Sequence, residues 1–209
     1  MLYLVAELAD QSVGRFVAAS AGFARRLRLV GIGQWTEPTP CSEWDVRALV
    51  NHVAQGNLNY VRLLRGATAA DFLRLRDEDA LGDDPQRAFA SSADDCAAAY
   101  SEPGALDRVV DHPSGKLVGR QAIAVRTADT VIHTWDLARA IGADDSLDAA
   151  LIDWIARDIH DIYSGMAETP VSAQTTHRFF AAPVGDLRPS ASAQDRLVHL
   201  FGRGLSWPP

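Results

Sequence analysis

The chain has 209 residues, a formal net charge of −7 and 47% hydrophobic residues. This length allows one large domain or two small ones, with enough material for a substantial core. An acidic chain without a basic run is unsuited to binding nucleic acid or an anionic membrane. We therefore predict a single globular domain over residues 1–209 that acts on neither nucleic acid nor membrane.

The cysteine content and the N-terminus predict a soluble, cytoplasmic protein. Cysteine occurs only at Cys41 and Cys96, whereas a secreted disulfide scaffold would use more, so we expect two free thiols. The N-terminus does not resemble a signal peptide, because Glu7 and Asp10 interrupt its apolar run and a basic start is missing. Nor does any stretch approach the roughly 18 uninterrupted apolar residues of a membrane span.

Helical periodicity dominates the first part of the chain. Apolar residues recur at helical spacing over residues 3–29, which predicts a first long helix. A second helix is predicted to run to about Arg65. Ser42 suits its N-cap, and Glu43 and Asp45 would place negative charge in its first turn.

The middle of the chain is more varied. Residues 67–84 are charged and punctuated by glycine, which indicates a loop with a helical turn. A third helix is predicted over 85–101, because proline suits the first turn of a helix. A short β-hairpin over Pro-Ser-Gly is predicted within 106–118. The helix after it is predicted over 120–141 and is closed by Gly142.

The pattern as a whole predicts an all-α protein. Further helices are predicted over 147–164 and 193–203, separated by an irregular stretch at 168–189. Long helices joined by turns favour an antiparallel four-helix bundle. Its core would span about 3–142, and 143–209 would form C-terminal helical additions.

The most informative segment is 126–142, RTADTVIHTWDLARAIG. Its many apolar residues predict a helix that is buried nearly all round. Asp129 and His133 lie four residues apart, so they share one face of that helix and could bind one divalent metal ion together. With Arg126 and Asp136 they form a narrow polar stripe.

Two interpretations of this stripe stay open on spacing alone. An Asp/His pair at this spacing is also a common side-chain interaction on a helix surface. Arg126 could pair with Asp129 three residues on and explain the stripe without metal. Asp136 is predicted to pair with an arginine such as Arg139 or to cap a neighbouring group, and not to bind metal.

His52 is the candidate for a third ligand, because it lies in the middle of a long helix that should face the 120–141 helix. Two nitrogens and one oxygen leave positions open for water or substrate, as in a catalytic site. However, His52 lies roughly 120° from the centre of its helix's apolar stripe, so its sector faces either solvent or a polar cavity. Gln55 and Asn59 share that sector. The other histidines are predicted to lie in loops or on exposed faces: His112, His160, His177 and His199.

Other motifs carry less information. Cys41 precedes a predicted helix N-terminus, which can lower a thiol pKa, but we predict a small buried residue that fixes the turn. Trp44 and Trp135 are predicted to be packing residues. The chain contains no GxGxxG, Walker A, GxSxG or CxxC motif, which excludes the corresponding dinucleotide, NTPase, hydrolase and thioredoxin classes.

The segments TPCSEWDVRALVNHV, VIHTWDLARAIG and DRLVHLFGR together resemble the DinB/YfiT-like metalloenzyme family. The likeness is greatest to the actinobacterial branch related to the N-terminal domain of mycothiol-dependent maleylpyruvate isomerase. This resemblance implies a four-helix bundle that binds one divalent metal, often zinc or nickel, through His52, Asp129 and His133. The isomerase relatives have glutamate at the position of Asp129. Aspartate is one methylene shorter than glutamate, so Asp129 would bind the metal directly at a shifted geometry or through water.

The resemblance also implies a metal-dependent transferase or isomerase that uses a small thiol such as mycothiol, with a metal-bound water or thiolate as the reacting group. Arg126 would bind a substrate carboxylate or hold Asp129, and Gln55 and Asn59 would line the pocket mouth. The isomerase's larger C-terminal domain is not recognisable, so its reaction is not carried over. A homodimer is compatible with the sequence. The alternative is a non-catalytic metal-binding, small-ligand or stress-response protein with a vestigial site.

Overall fold

The computed structural model describes residues 2–42, 44–166, 183 and 185–207. This part of the chain is mostly helical and contains one two-stranded antiparallel sheet. The elements in chain order are α1 (Leu2–Leu27), α2 (Val46–Leu64), α3 (Ala69–Leu75), α4 (Pro85–Ser101), β1 (Val109–His112), β2 (Gly115–Val118), α5 (Gly119–Ile141), α6 (Ala149–Ile162) and α7 (Ala193–Leu200). Within the described ranges, no helix combines the length and apolar character that a membrane crossing requires.

The core lies among the four longest helices, α1, α2, α4 and α5, and buried residues of the hairpin, α6 and α7 extend it. α1 lies against α5 and α4, and α2 lies against α4 and α5. α5 is the most buried element. The buried apolar residues form two clusters, and α5 contributes to both, with the fully buried Ile132 in one and Leu137 in the other. The predicted buried helix is therefore confirmed, and its polar stripe must be satisfied inside the protein.

Several predicted boundaries are confirmed. α4 spans the predicted residues, with Asp84 as N-cap and Pro85 in the first turn. α5 ends at Ile141, and its C-cap Gly142 adopts the left-handed conformation at φ 67°. The predicted hairpin forms, with Val109 opposite Val118 and a turn that closes at Gly115. The predicted loop at 67–84 contains the short helix α3.

The predicted start of the second helix is wrong. Asp45, not Ser42, is the N-cap of α2, and its carboxylate accepts a hydrogen bond from the Ala48 N–H at 2.8 Å. The preceding residues pair instead in a tight turn, where the Trp44 N–H donates to the carbonyl of Cys41 at 2.8 Å. Cap preference alone does not decide between nearby candidates, and here the backbone of Asp45 is extended and pairs with Pro38.

Some predicted features lie outside the described residues. These are Glu43, His177 and the irregular stretch 168–189, apart from residues 183 and 185–189. The prediction of two free thiols is confirmed, because both cysteines lie within the described residues and neither forms a disulfide.

Candidate metal centre

The polar stripe of α5 faces α2, not solvent. Arg126 and His133 are 2% and 3% exposed, and Asp136 is fully buried. Asp129 keeps 15% side-chain exposure. The helix is thus apolar nearly all round, and its polar groups are directed into the interior, Asp129 toward α2 and Asp136 toward Arg203.

Three of the predicted residues meet in that cluster: His52 from α2, and Asp129 and His133 from α5. Nε2 of His52 lies 3.4 Å from Oδ2 of Asp129, and Nε2 of His133 lies 3.4 Å from Oδ1 of the same carboxylate. One ligand atom from each residue lies within 4.8 Å of the others. The sector of α2 that carries His52 therefore faces a polar interior, which decides between the two orientations that its helical position allowed.

The donor atoms of this cluster fit a divalent metal. His52 Nε2 is buried and has no hydrogen-bond partner among the described residues, and 3.4 Å exceeds ordinary N–H···O lengths. Two ligands bonded to a tetrahedral ion at about 2.0–2.1 Å lie about 3.4 Å apart. Both separations from Asp129 thus match ligands of a shared ion better than a hydrogen bond.

Arg126 contacts the same carboxylate. Its Nη2 lies 2.7 Å from Oδ2 of Asp129, and its guanidinium also donates to the Thr130 hydroxyl at 3.1 and 3.3 Å. A Cβ on Gly56 of α2 would lie 2.1 Å from Nη1 of Arg126. The glycine therefore makes the space in which the guanidinium lies beside Asp129.

The pKa values describe a cluster of opposite charges. Burial raises the pKa of Asp129, but Arg126 and His133 outweigh it and hold that pKa well below its usual range. Burial lowers the pKa of His133, but Asp129 and Asp136 outweigh it and raise that pKa well above its usual range. For His52 burial prevails, and its pKa is lowered. These pKa shifts favour an ionised Asp129 and a neutral His52.

Asp136 pairs with an arginine, as predicted, but the arginine is Arg203 and not Arg139. Arg203 donates to its carboxylate through Nε at 3.0 Å and Nη2 at 2.6 Å. Arg139 instead pairs with Asp145 at 3.2 Å. Asp136 also lies 2.9 Å from Nδ1 of His133, so this ion pair adjoins the candidate metal ligands.

Cys41 is part of the same network, which sequence reasoning missed. Its thiol is half-buried and lies 3.3 Å from Oδ2 of Asp136 and 3.9 Å from Nδ1 of His133. Arg203 donates to its sulfur at 2.9 Å. Burial and then Asp136 raise the pKa of this thiol. Cys41, His133 and Asp136 form a second group of metal-ligating types, on the other side of the imidazole.

Gln55 and Asn59 donate hydrogen bonds to α3 and not to the three-residue cluster. Both are buried, and their amides donate to carbonyl groups of α3: Gln55 to Leu75 at 2.5 Å and Asn59 to Phe72 at 3.4 Å. They tie α3 to α2. Trp44 stacks on the ring of His52 with centroids 4.5 Å apart.

The prediction for His112 is wrong, because this side chain is only 2% exposed. It lies in β1 and contacts the Tyr60 hydroxyl of α2 at 3.2 Å. Sequence alone gave no sign of this, since a four-residue strand carries too little periodicity to assign its inner face.

Comparison with known proteins places the chain in a family. Two uncharacterized proteins of Mycobacterium tuberculosis, one from strain CDC 1551 / Oshkosh and one from strain ATCC 25618 / H37Rv, are each 33% identical over 133 residues. The alignment covers 64% of this chain and 69% of each relative. No solved structure matches significantly. Residues 16–138, which include all three clustered side chains, match the profile of the mycothiol maleylpyruvate isomerase N-terminal domain, and the chain belongs to that family.

Proposed function

We propose that the chain binds one divalent metal ion, zinc or nickel, through His52, Asp129 and His133. We propose further that it is a transferase or isomerase that uses a low-molecular-weight thiol such as mycothiol. The observation that carries the metal proposal is the pair of 3.4 Å separations around a carboxylate, together with the buried Nε2 of His52, which has no hydrogen-bond partner among the described residues. Family membership supports the thiol. In this proposal α1, α2, α4 and α5 form the antiparallel four-helix bundle of DinB/YfiT-like proteins.

Each side chain has a distinct role in this proposal. A bound divalent ion would supply Lewis acidity that lowers the pKa of a coordinated thiol or water. His52 and His133 would each present Nε2, and Asp129 its carboxylate. Arg126 would bind a carboxylate of the substrate, because its guanidinium is held beside the cluster by Thr130.

A metal titration tests the first part. We expect the full chain to bind about one zinc or nickel ion and His52→Ala and His133→Ala to lose that binding. His160→Ala is the matched control, because His160 is exposed on α6. If the folded wild-type protein binds no ion, the proposal is wrong. A transfer assay with mycothiol and a panel of electrophiles then tests the second part.

One observation favours the alternative of a vestigial, non-catalytic site. Arg126 Nη2 lies 2.7 Å from Oδ2 of Asp129, the same oxygen that faces His52. A cation there can take the place of a metal ion. This alternative predicts that the wild-type protein binds no metal and that Arg126→Gln gains binding. In that case the chain would act as a small-ligand or stress-response protein.

A further inference from the structure

We propose that Asp136 and Arg203 are positioning residues of the metal centre, and that they determine which nitrogen of His133 faces the ion. This inference rests on the proposed function, because it concerns the same ligand cluster. Arg203 lies outside the family match at residues 16–138. The C-terminal segment of the chain would therefore complete the site.

The hydrogen bond to Asp136 sets the tautomer of His133. An ionised carboxylate only accepts hydrogen bonds, so at 2.9 Å from Oδ2 of Asp136 the Nδ1 of His133 must donate. With the Nδ1 proton held by Asp136, the Nε2 proton is the one that a metal ion would replace, and the lone pair used for coordination lies on Nε2. That atom is the one 3.4 Å from Asp129 in the candidate metal cluster.

Arg203 fixes the carboxylate that fixes the imidazole. Its Nε and Nη2 bind the two oxygens of Asp136 at 3.0 and 2.6 Å, which is a bidentate pair. Its Nη1 donates to the carbonyl of Phe201 at 2.8 Å. Because the planar guanidinium is held on both edges, Asp136 cannot rotate away from His133 without breaking these bonds.

The end of α7 directs Arg203 inward. Gly202 adopts φ 79°, in the left-handed region, and the Arg203 N–H donates to the carbonyl of Val198 at 3.0 Å. Val198 and Phe201 are buried in the core. The chain thus reverses at the end of an anchored helix, and the next side chain points at α5.

Groups that orient a metal-binding histidine typically change metal affinity by about 10- to 100-fold when they are removed. We therefore compare zinc affinity by chelator competition in the wild-type full chain, Arg203→Gln and Asp136→Asn. Arg139→Gln is the matched control, because Arg139 also joins α5 to the C-terminal segment, through the Trp207 carbonyl.

We expect about 10- to 100-fold weaker zinc binding in Arg203→Gln and Asp136→Asn, and less than about threefold change in Arg139→Gln. Folded Arg203→Gln protein with wild-type affinity would overturn the inference while leaving the proposed function intact. A wild-type protein that binds neither zinc nor nickel would overturn both.

A second measurement needs no variant. In the zinc-loaded wild-type protein, ¹⁵N NMR of the imidazoles should show His133 protonated at Nδ1 and bound to metal through Nε2. An Asp136–Arg203 ion pair that had no influence on the metal centre would not determine which nitrogen of His133 is protonated. Metal bound at Nδ1, as in a site made with Cys41 and Asp136, would contradict the inference.

Discussion

Acidification should destabilise this protein through His112. Its Nδ1 accepts a hydrogen bond from the Ser114 N–H at 3.2 Å, so the proton of the neutral ring lies on Nε2, 3.2 Å from the Tyr60 hydroxyl. A second proton would have to displace the Ser114 bond inside the core. Burial accordingly lowers the pKa of His112 from 6.5 to about 4.

The sign and size follow from the two pKa values. The unfolded chain takes up the proton near pH 6.5 and the folded protein only near pH 4, so this contribution to stability is complete above pH 6.5. It is lost progressively between pH 6.5 and 4 and stays constant below. At about 1.4 kcal/mol per pKa unit, His112 accounts for a loss of about 3 kcal/mol across that window.

Urea unfolding at pH 7 and pH 4 measures this effect in the wild-type protein and in His112→Gln. Glutamine does not titrate, yet its amide oxygen can accept from Ser114, so the contributions of all other groups cancel in the comparison. We expect the free energy of unfolding to fall by about 3 kcal/mol more in the wild-type protein. Equal losses, within about 0.5 kcal/mol, would refute the assignment of a buried, neutral His112.

Three further predictions concern packing. Gly119→Ala should lower the free energy of unfolding, measured in urea, by about 2–3 kcal/mol, because its Cβ would lie 2.1 Å from the carbonyl oxygen of Ala105. This oxygen belongs to the backbone and cannot rotate aside as a side chain can. An unchanged urea midpoint would contradict this prediction. Gly56→Ala meets only the guanidinium of Arg126, so we expect a smaller loss of stability and, with that cation displaced from the metal ligands, tighter zinc binding by titration. Weaker or unchanged binding would show that Arg126 does not compete with the ion. Cys96 is fully buried and its pKa is raised by burial to about 12, so mass spectrometry should find maleimide on it only after denaturation; labelling of the native protein would count against the packing of α4.

The sequence predicted those features that depend on neighbours a few residues away. The spacing of Asp129 and His133 places both on one face of a helix whatever the rest of the fold does. The apolar residues around them predicted a buried helix, and α5 is buried. Gly142 ended that helix for a local steric reason, because a residue without a Cβ tolerates the left-handed conformation there.

Helical spacing could not say what His52 faces, because a polar sector pointing to solvent and one lining an interior cluster have the same pattern. Only the packing of α2 on α5 brings it within 3.4 Å of Asp129. Gln55 and Asn59, on the same sector, bind the carbonyl groups of α3 instead. Their role depends on where the 67–84 segment folds, which local pattern does not encode.

The network behind His133 was decided by tertiary structure alone. Arg203 and Asp136 are separated by 67 positions, and Cys41 and Asp136 by 95. No periodicity links such positions, so the sequence could predict that Asp136 needs an arginine but not which one. A buried carboxylate such as that of Asp136 requires a partner. The tertiary structure decides that this partner is Arg203, because the chain turns toward α5 at the end of α7.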